Sequence, residues 1–107
     1  MPELRTLADA GPQVLITADV NSFDTGDDWV VVFNNSSGLS KKITGLTCNE
    51  QTEGKTRWLV NRGVSPIELP YEDTGSLAIN RFAYAGQIPA LGKVLVIYNS
   101  VSRWEIF

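Results

Sequence analysis

Three consecutive stretches decide the fold class: the run Trp29-Val30-Val31-Val32-Phe33, the turn Asn34-Asn35-Ser36-Ser37-Gly38, and the stretch Lys41-Lys42-Ile43-Thr44-Gly45-Leu46-Thr47. The first is a continuous apolar run of strand length, as a strand buried on both faces or lying in the centre of a sheet requires. The second supplies Asn, Ser and Gly, which tolerate positive φ or bond their own backbone, so the chain turns there. The third alternates around Ile43 and Leu46, and Gly45 marks a bulge or a close approach. Strand, turn and strand at this short spacing point to a sandwich or a barrel.

The pattern continues on both sides. Residues 13–17, 57–61, 66–69, 77–82, 93–98 and 102–107 are further strand-like runs, giving about eight strands. Asp24-Thr25-Gly26-Asp27-Asp28 is a turn, and Glu53-Gly54-Lys55 reads as a hairpin. Pro66 and Pro70 bracket a short strand, which places it at a sheet edge or puts the prolines at strand ends. Val, Ile and Thr total 25 residues, and these stiff side chains favour strands over helices. Residues 76–85 put Ile79, Phe82 and Ala83 on one helical face, but strand or irregular structure is preferred there. Residues 1–12 carry Leu4 and Leu7 before Gly11-Pro12 stops any helix, and read as an N-terminal arm. The expectation is all-β: a jelly-roll-like antiparallel β-sandwich over residues 13–107, preceded by the arm 1–12.

Composition narrows the function. The chain has 107 residues, no histidine, one cysteine and a formal net charge of −3. Without histidine the commonest general base and metal ligand are missing, and Cys48 alone makes neither a disulfide nor a zinc site. Ser40-Lys41 lacks the spacing of a Ser–Lys dyad. Asp27, Asp28, Glu72 and Asp73 match a glycosidase pair by residue type alone. Asp24, Asp27 and Asp28 lack the alternation of a calcium loop. The expectation is therefore no enzyme, no metal and no cofactor. An acidic chain without a Lys/Arg cluster argues against a nucleic-acid partner, and no apolar run is long enough to cross a bilayer. Charge is uneven, −5 over residues 1–53 and +2 over 54–107. Tyr71 and Tyr84 flank loops and are candidates for stacking on a sugar ring.

One ordered set of motifs resembles a known family. It runs Thr17-Ala18-Asp19-Val20-Asn21-Ser22-Phe23, Ile43-Thr44-Gly45-Leu46, Gly54, Leu59-Val60-Asn61-Arg62-Gly63 and Ile67-Glu68-Leu69. It continues with Glu72, Ser76, Ala78-Ile79-Asn80-Arg81-Phe82, Leu95-Val96-Ile97-Tyr98 and Arg103-Trp104. This resembles a small β-sandwich module of tailed-bacteriophage virion structural proteins, found in capsid decoration or cement proteins, tail fibres and spikes. The resemblance spans residues 13–107. It implies a module that assembles as a homotrimer in a virion, and the short length, a small module with a brief arm, points to a decoration or cement protein on the capsid exterior, made in the host cytoplasm. The partners would be other copies, the phage major capsid protein and other virion proteins. Under that reading Leu4 and Leu7 belong to a lattice-binding arm. Asn61, Glu72, Asn80, Arg81, Arg103 and Trp104 are structural or interface residues, Arg81 meeting backbone carbonyls or a carboxylate such as Glu72. The alternative is a tail-fibre or tail-tip module that binds host glycan through Tyr71 and Tyr84.

Overall fold

A computed structural model describes residues 13–107. The expectations placed on Leu4, Leu7 and the arm 1–12 lie outside the described residues. The chain is all-β, with ten strands among the described residues. These are β1 Val14–Leu15, β2 Phe23–Asp24, β3 Val30–Asn34, β4 Lys41–Lys42, β5 Leu46–Thr47, β6 Thr56–Asn61, β7 Ile67–Leu69, β8 Gly86–Ile88, β9 Lys93–Tyr98 and β10 Trp104–Ile106.

They form a five-stranded sheet β1-β3-β6-β9-β10, a two-stranded sheet β2-β5 and a three-stranded sheet β4-β7-β8. The sheets are mixed, which corrects the antiparallel expectation. The pairs β1–β3, β3–β6, β2–β5 and β4–β7 are parallel. The pairs β6–β9, β9–β10 and β7–β8 are antiparallel. Parallel neighbours need a connection of a dozen residues or more. Here the connection is a winding path: each pass leaves the large sheet, visits a small sheet and returns, so Phe33 lies beside Val14 and Asn61 beside Phe33. One further correction and one choice between open readings follow from that path. Residues 53–55 do not close a hairpin, because β5 pairs with β2 while β6 pairs with β3 and β9. The strand between the prolines is central in its sheet, so Pro66 and Pro70 stand at its ends, where the missing N–H groups break no ladder.

Side-chain alternation sets the core. Along β6, Arg57, Leu59 and Asn61 are buried while Thr56, Trp58 and Val60 are half-buried. Phe33, Leu59, Val96 and Trp104 from the large sheet meet Leu46 of β5 and Ile67, Leu69 and Ile88 of the three-stranded sheet in one cluster. Residues 77–82 are not a strand. A single 3₁₀ turn, Ala78–Asn80, is followed by isolated bridges at Arg81 and Phe82. Leu77 and Ile79 point to solvent, so the apolar residues there serve no regular pleat.

Candidate functional site

Segment 70–82 crosses the small sheets and is fastened by polar side chains from several elements. Gly45 lets it approach: a Cβ there would lie 2.4 Å from the Asn80 carbonyl oxygen and 2.6 Å from Ser76 Oγ. Ser76 Oγ accepts the Ser22 N–H at 2.8 Å and lies 2.7 Å from Thr44 Oγ1. Thr44 has one hydroxyl proton and directs it to Asn21 Oδ1 at 2.7 Å, so Ser76 is the donor to Thr44. Asn80 is buried; its amide donates to Ser22 Oγ at 3.1 Å and its Oδ1 accepts from Gln51 Nε2 at 3.0 Å. Gln51 in turn accepts the Cys48 N–H.

Glu72 anchors the start of the segment, with φ +46 in the left-handed region. Its Oε2 accepts Arg103 Nε at 2.7 Å, and its Oε1 is 3.6 Å from Arg81 Nη1. Arg81 also donates from Nε to the Ser76 carbonyl at 3.0 Å. The Arg103 hydrogen bond, aided by the charges of both guanidiniums, holds the Glu72 carboxyl below the usual glutamate range. Trp104 is fully buried, donates Nε1–H to the Leu46 carbonyl at 2.9 Å and meets the Tyr98 ring edge-on at 5.0 Å.

A second polar centre stands where the chain leaves the large sheet. Asn61 is fully buried. Its amide donates to the Ser65 carbonyl at 2.8 Å, and its Oδ1 accepts the Gly63 N–H at 2.9 Å and the Asn35 N–H at 3.3 Å. Asn35, also fully buried, donates to the carbonyls of Leu39 and Pro66 at 3.0 and 2.8 Å. Gly63 must be glycine, since a Cβ would fall 2.2 Å from the Asn35 carbonyl oxygen. The two asparagines hold two stacked corners and turn the chain from the large sheet toward the three-stranded one.

The structure thus brings Glu72, Arg81 and Arg103 into one cluster, with Asn80 beside it and Asn61 apart at the corner. Tyr71 and Tyr84 are both exposed, at 63% each. Cys48 is buried, and that burial pushes its thiol up, away from nucleophilic range. Among the described residues, no group of three acidic or thiol side chains is placed to hold a metal. Two structural residues were not anticipated. The sequence marks Asn35 only as a turn residue. Arg57 is buried and donates to Thr25 Oγ1, the Gly26 carbonyl and the Thr56 carbonyl. Its signal was its parity: it shares a strand face with Leu59 and Asn61. The arrangement spends its charged and amide groups on fixing backbone. No protein-family model, curated protein or solved structure matches the chain.

Proposed function

We propose that this chain is a non-enzymatic structural protein of a tailed-bacteriophage virion, a decoration or cement protein that binds the assembled capsid as a homotrimer. One observation carries the reading. The polar residues of the resembling motifs, Asn61, Glu72, Asn80, Arg81 and Arg103, are engaged in hydrogen bonds and ion pairs that fasten the chain to itself. A protein that braces a lattice has to keep its shape under load, and satisfied buried polar networks give that rigidity. From the resemblance the proposal keeps a sandwich-like body around one core, not the antiparallel order of a jelly roll.

Binding to empty capsids tests it. Purified protein should co-sediment with capsids that lack it and raise their resistance to heat. Removing residues 2–10 should lower occupancy while leaving the body folded. No co-sedimentation at any ratio would remove the decoration role. The second reading, a tail module that binds host glycan, draws on the two exposed rings of Tyr71 and Tyr84. It requires binding of the purified protein to host cells that Tyr84→Ala abolishes.

A further inference from the structure

The outer face of the five-stranded sheet is apolar. Backbone register places its side chains in rows. Val30 of β3 lies beside Trp58 of β6, and Trp58 beside Leu95 of β9. Leu95 exchanges two backbone hydrogen bonds with Phe107, whose ring is 66% exposed. This row of Val30, Trp58, Leu95 and Phe107 crosses four strand positions without a polar side chain. On one side runs the row Val32, Val60 and Lys93, in which Val32 is buried, Val60 half-buried and Lys93 exposed; on the other runs Thr56, Ile97 and Glu105, all half-buried. None of these side chains belongs to the core cluster, which draws from the opposite face of the same strands. Val30, Trp58, Val60, Leu95 and Ile97 are half-buried and Phe107 is exposed, so the face keeps contiguous apolar surface partly open to water, as interaction faces do.

The charges on this face say what fits it. Lys93 and Glu105 sit in the rows on either side of the apolar row, one of each sign. Lys93 Nζ stands 5.5 Å from the Trp58 ring centroid, at the border of the stripe. A rotation axis running along the stripe brings the Lys93 row of one copy against the Ile97–Glu105 row of the next. The same operation stacks the apolar rows around the axis. The face is therefore complementary to itself, in charge and in hydrophobicity, for two or three copies about one axis.

We propose that a second copy of this chain covers the outer face of the five-stranded sheet, Trp58 and Leu95 meeting their counterparts and Lys93 pairing with Glu105 of the neighbour. The inference rests on the virion reading only for the number of copies, three.

Light scattering after gel filtration tests it. The wild-type chain should elute as an assembly, and Leu95→Lys should elute as one chain. Lys93→Glu should weaken assembly about tenfold or more by setting like charges together, and the exchange Lys93→Glu with Glu105→Lys should restore it. Lys42→Glu on the other sheet should change nothing. Should Leu95→Lys fail to fold, Lys93→Glu decides, because that side chain is exposed. A wild-type chain that stays single at high concentration would overturn the inference, as would an assembly that both Leu95→Lys and Lys93→Glu leave intact. In the latter case copies meet elsewhere, and capsid binding by the intact assembly would leave the virion reading standing.

Discussion

On the three-stranded sheet the outward row is Lys42, Glu68 and Gln87, one residue from each strand, all exposed. On the five-stranded sheet the corresponding row is Val30, Trp58, Leu95 and Phe107. The inner faces of the two sheets are alike, since both contribute to the same core. The sheets differ only in what they turn away from it. Opposite charges side by side, as at Lys42 and Glu68, suit a face that meets water. A face with charge confined to its borders suits one that meets protein. Alternation in a single strand therefore records two environments, and the outer one differs between sheets of one small chain.

The largest effect should come from the inner face. Leu59 is fully buried in β6 between two outward residues. Leu59→Ala should cost about 2–5 kcal/mol by transfer and cavity terms, measured by urea denaturation. If it cost little, the assignment of inner and outer faces along β6 would be reversed and the comparison would break.

The link between the sheets comes next. Asn61→Ala strips partners from the Ser65 carbonyl and the Gly63 N–H inside a closed corner. A loss of about 1–3 kcal/mol is expected from buried groups left without partners. Asn61→Asp should not rescue it, because a carboxylate cannot donate to Ser65. Equal stability of Asn61→Ala and wild type would mean that the corner is held by chain packing alone.

These effects sit where the sequence was most and least readable. The interior strand β3 was legible because Val31, Val32 and Phe33 are all buried, which a continuous apolar run reports directly. Its neighbours' directions were not. Apolar alternation gives the face of a residue and is silent on whether the adjacent strand runs up or down. Asn34 to Gly38 was legible as a turn, but a turn that reverses a strand and one that rounds a corner use the same residues. β2 at Phe23–Asp24 and β8 at Gly86–Ile88 passed unseen, since two or three residues carry no period. Of the candidate site, the residue types were visible, and so was the pairing of Arg81 with a backbone carbonyl and Glu72, but the place of Arg103 in the same cluster was not. Glu72 lies far from Arg103 in sequence, and only the fold sets them 2.7 Å apart. Residues 77–82 misled because Leu77 and Ile79 look like strand core yet stand in solvent.

Acid should weaken the Glu72 cluster through the charge of its carboxylate. A carboxyl whose pKa is lowered in the folded chain adds stability above its unfolded value, and that stability is lost as pH falls through the folded value. Glu72 is of this kind, with Arg103 as the first cause and Arg81 as a lesser one. Stability should therefore hold at neutral pH and decline below the ordinary glutamate value near 4.5. Thermal melting of wild type and Glu72→Gln across that range reads the difference. The two curves should converge in acid, and a constant gap between them would show that Glu72 acts by shape rather than charge.

The smallest effect belongs to the water-facing row. Glu68 accepts a hydrogen bond from Ser40 Oγ at 2.9 Å and lies beside Lys42, all of it exposed. Exposed pairs of this sort are screened by salt and seldom contribute more than about 1 kcal/mol. Glu68→Gln should shift stability by less than about 0.5 kcal/mol and leave assembly mass unchanged. That result sharpens the comparison, because a polar substitution at Val60, one strand-face away in kind, should disturb assembly while barely touching the core. Should Glu68→Gln instead dissociate the copies, the three-stranded sheet would be the contact surface, and its charged row would be an interface rather than a face kept for water.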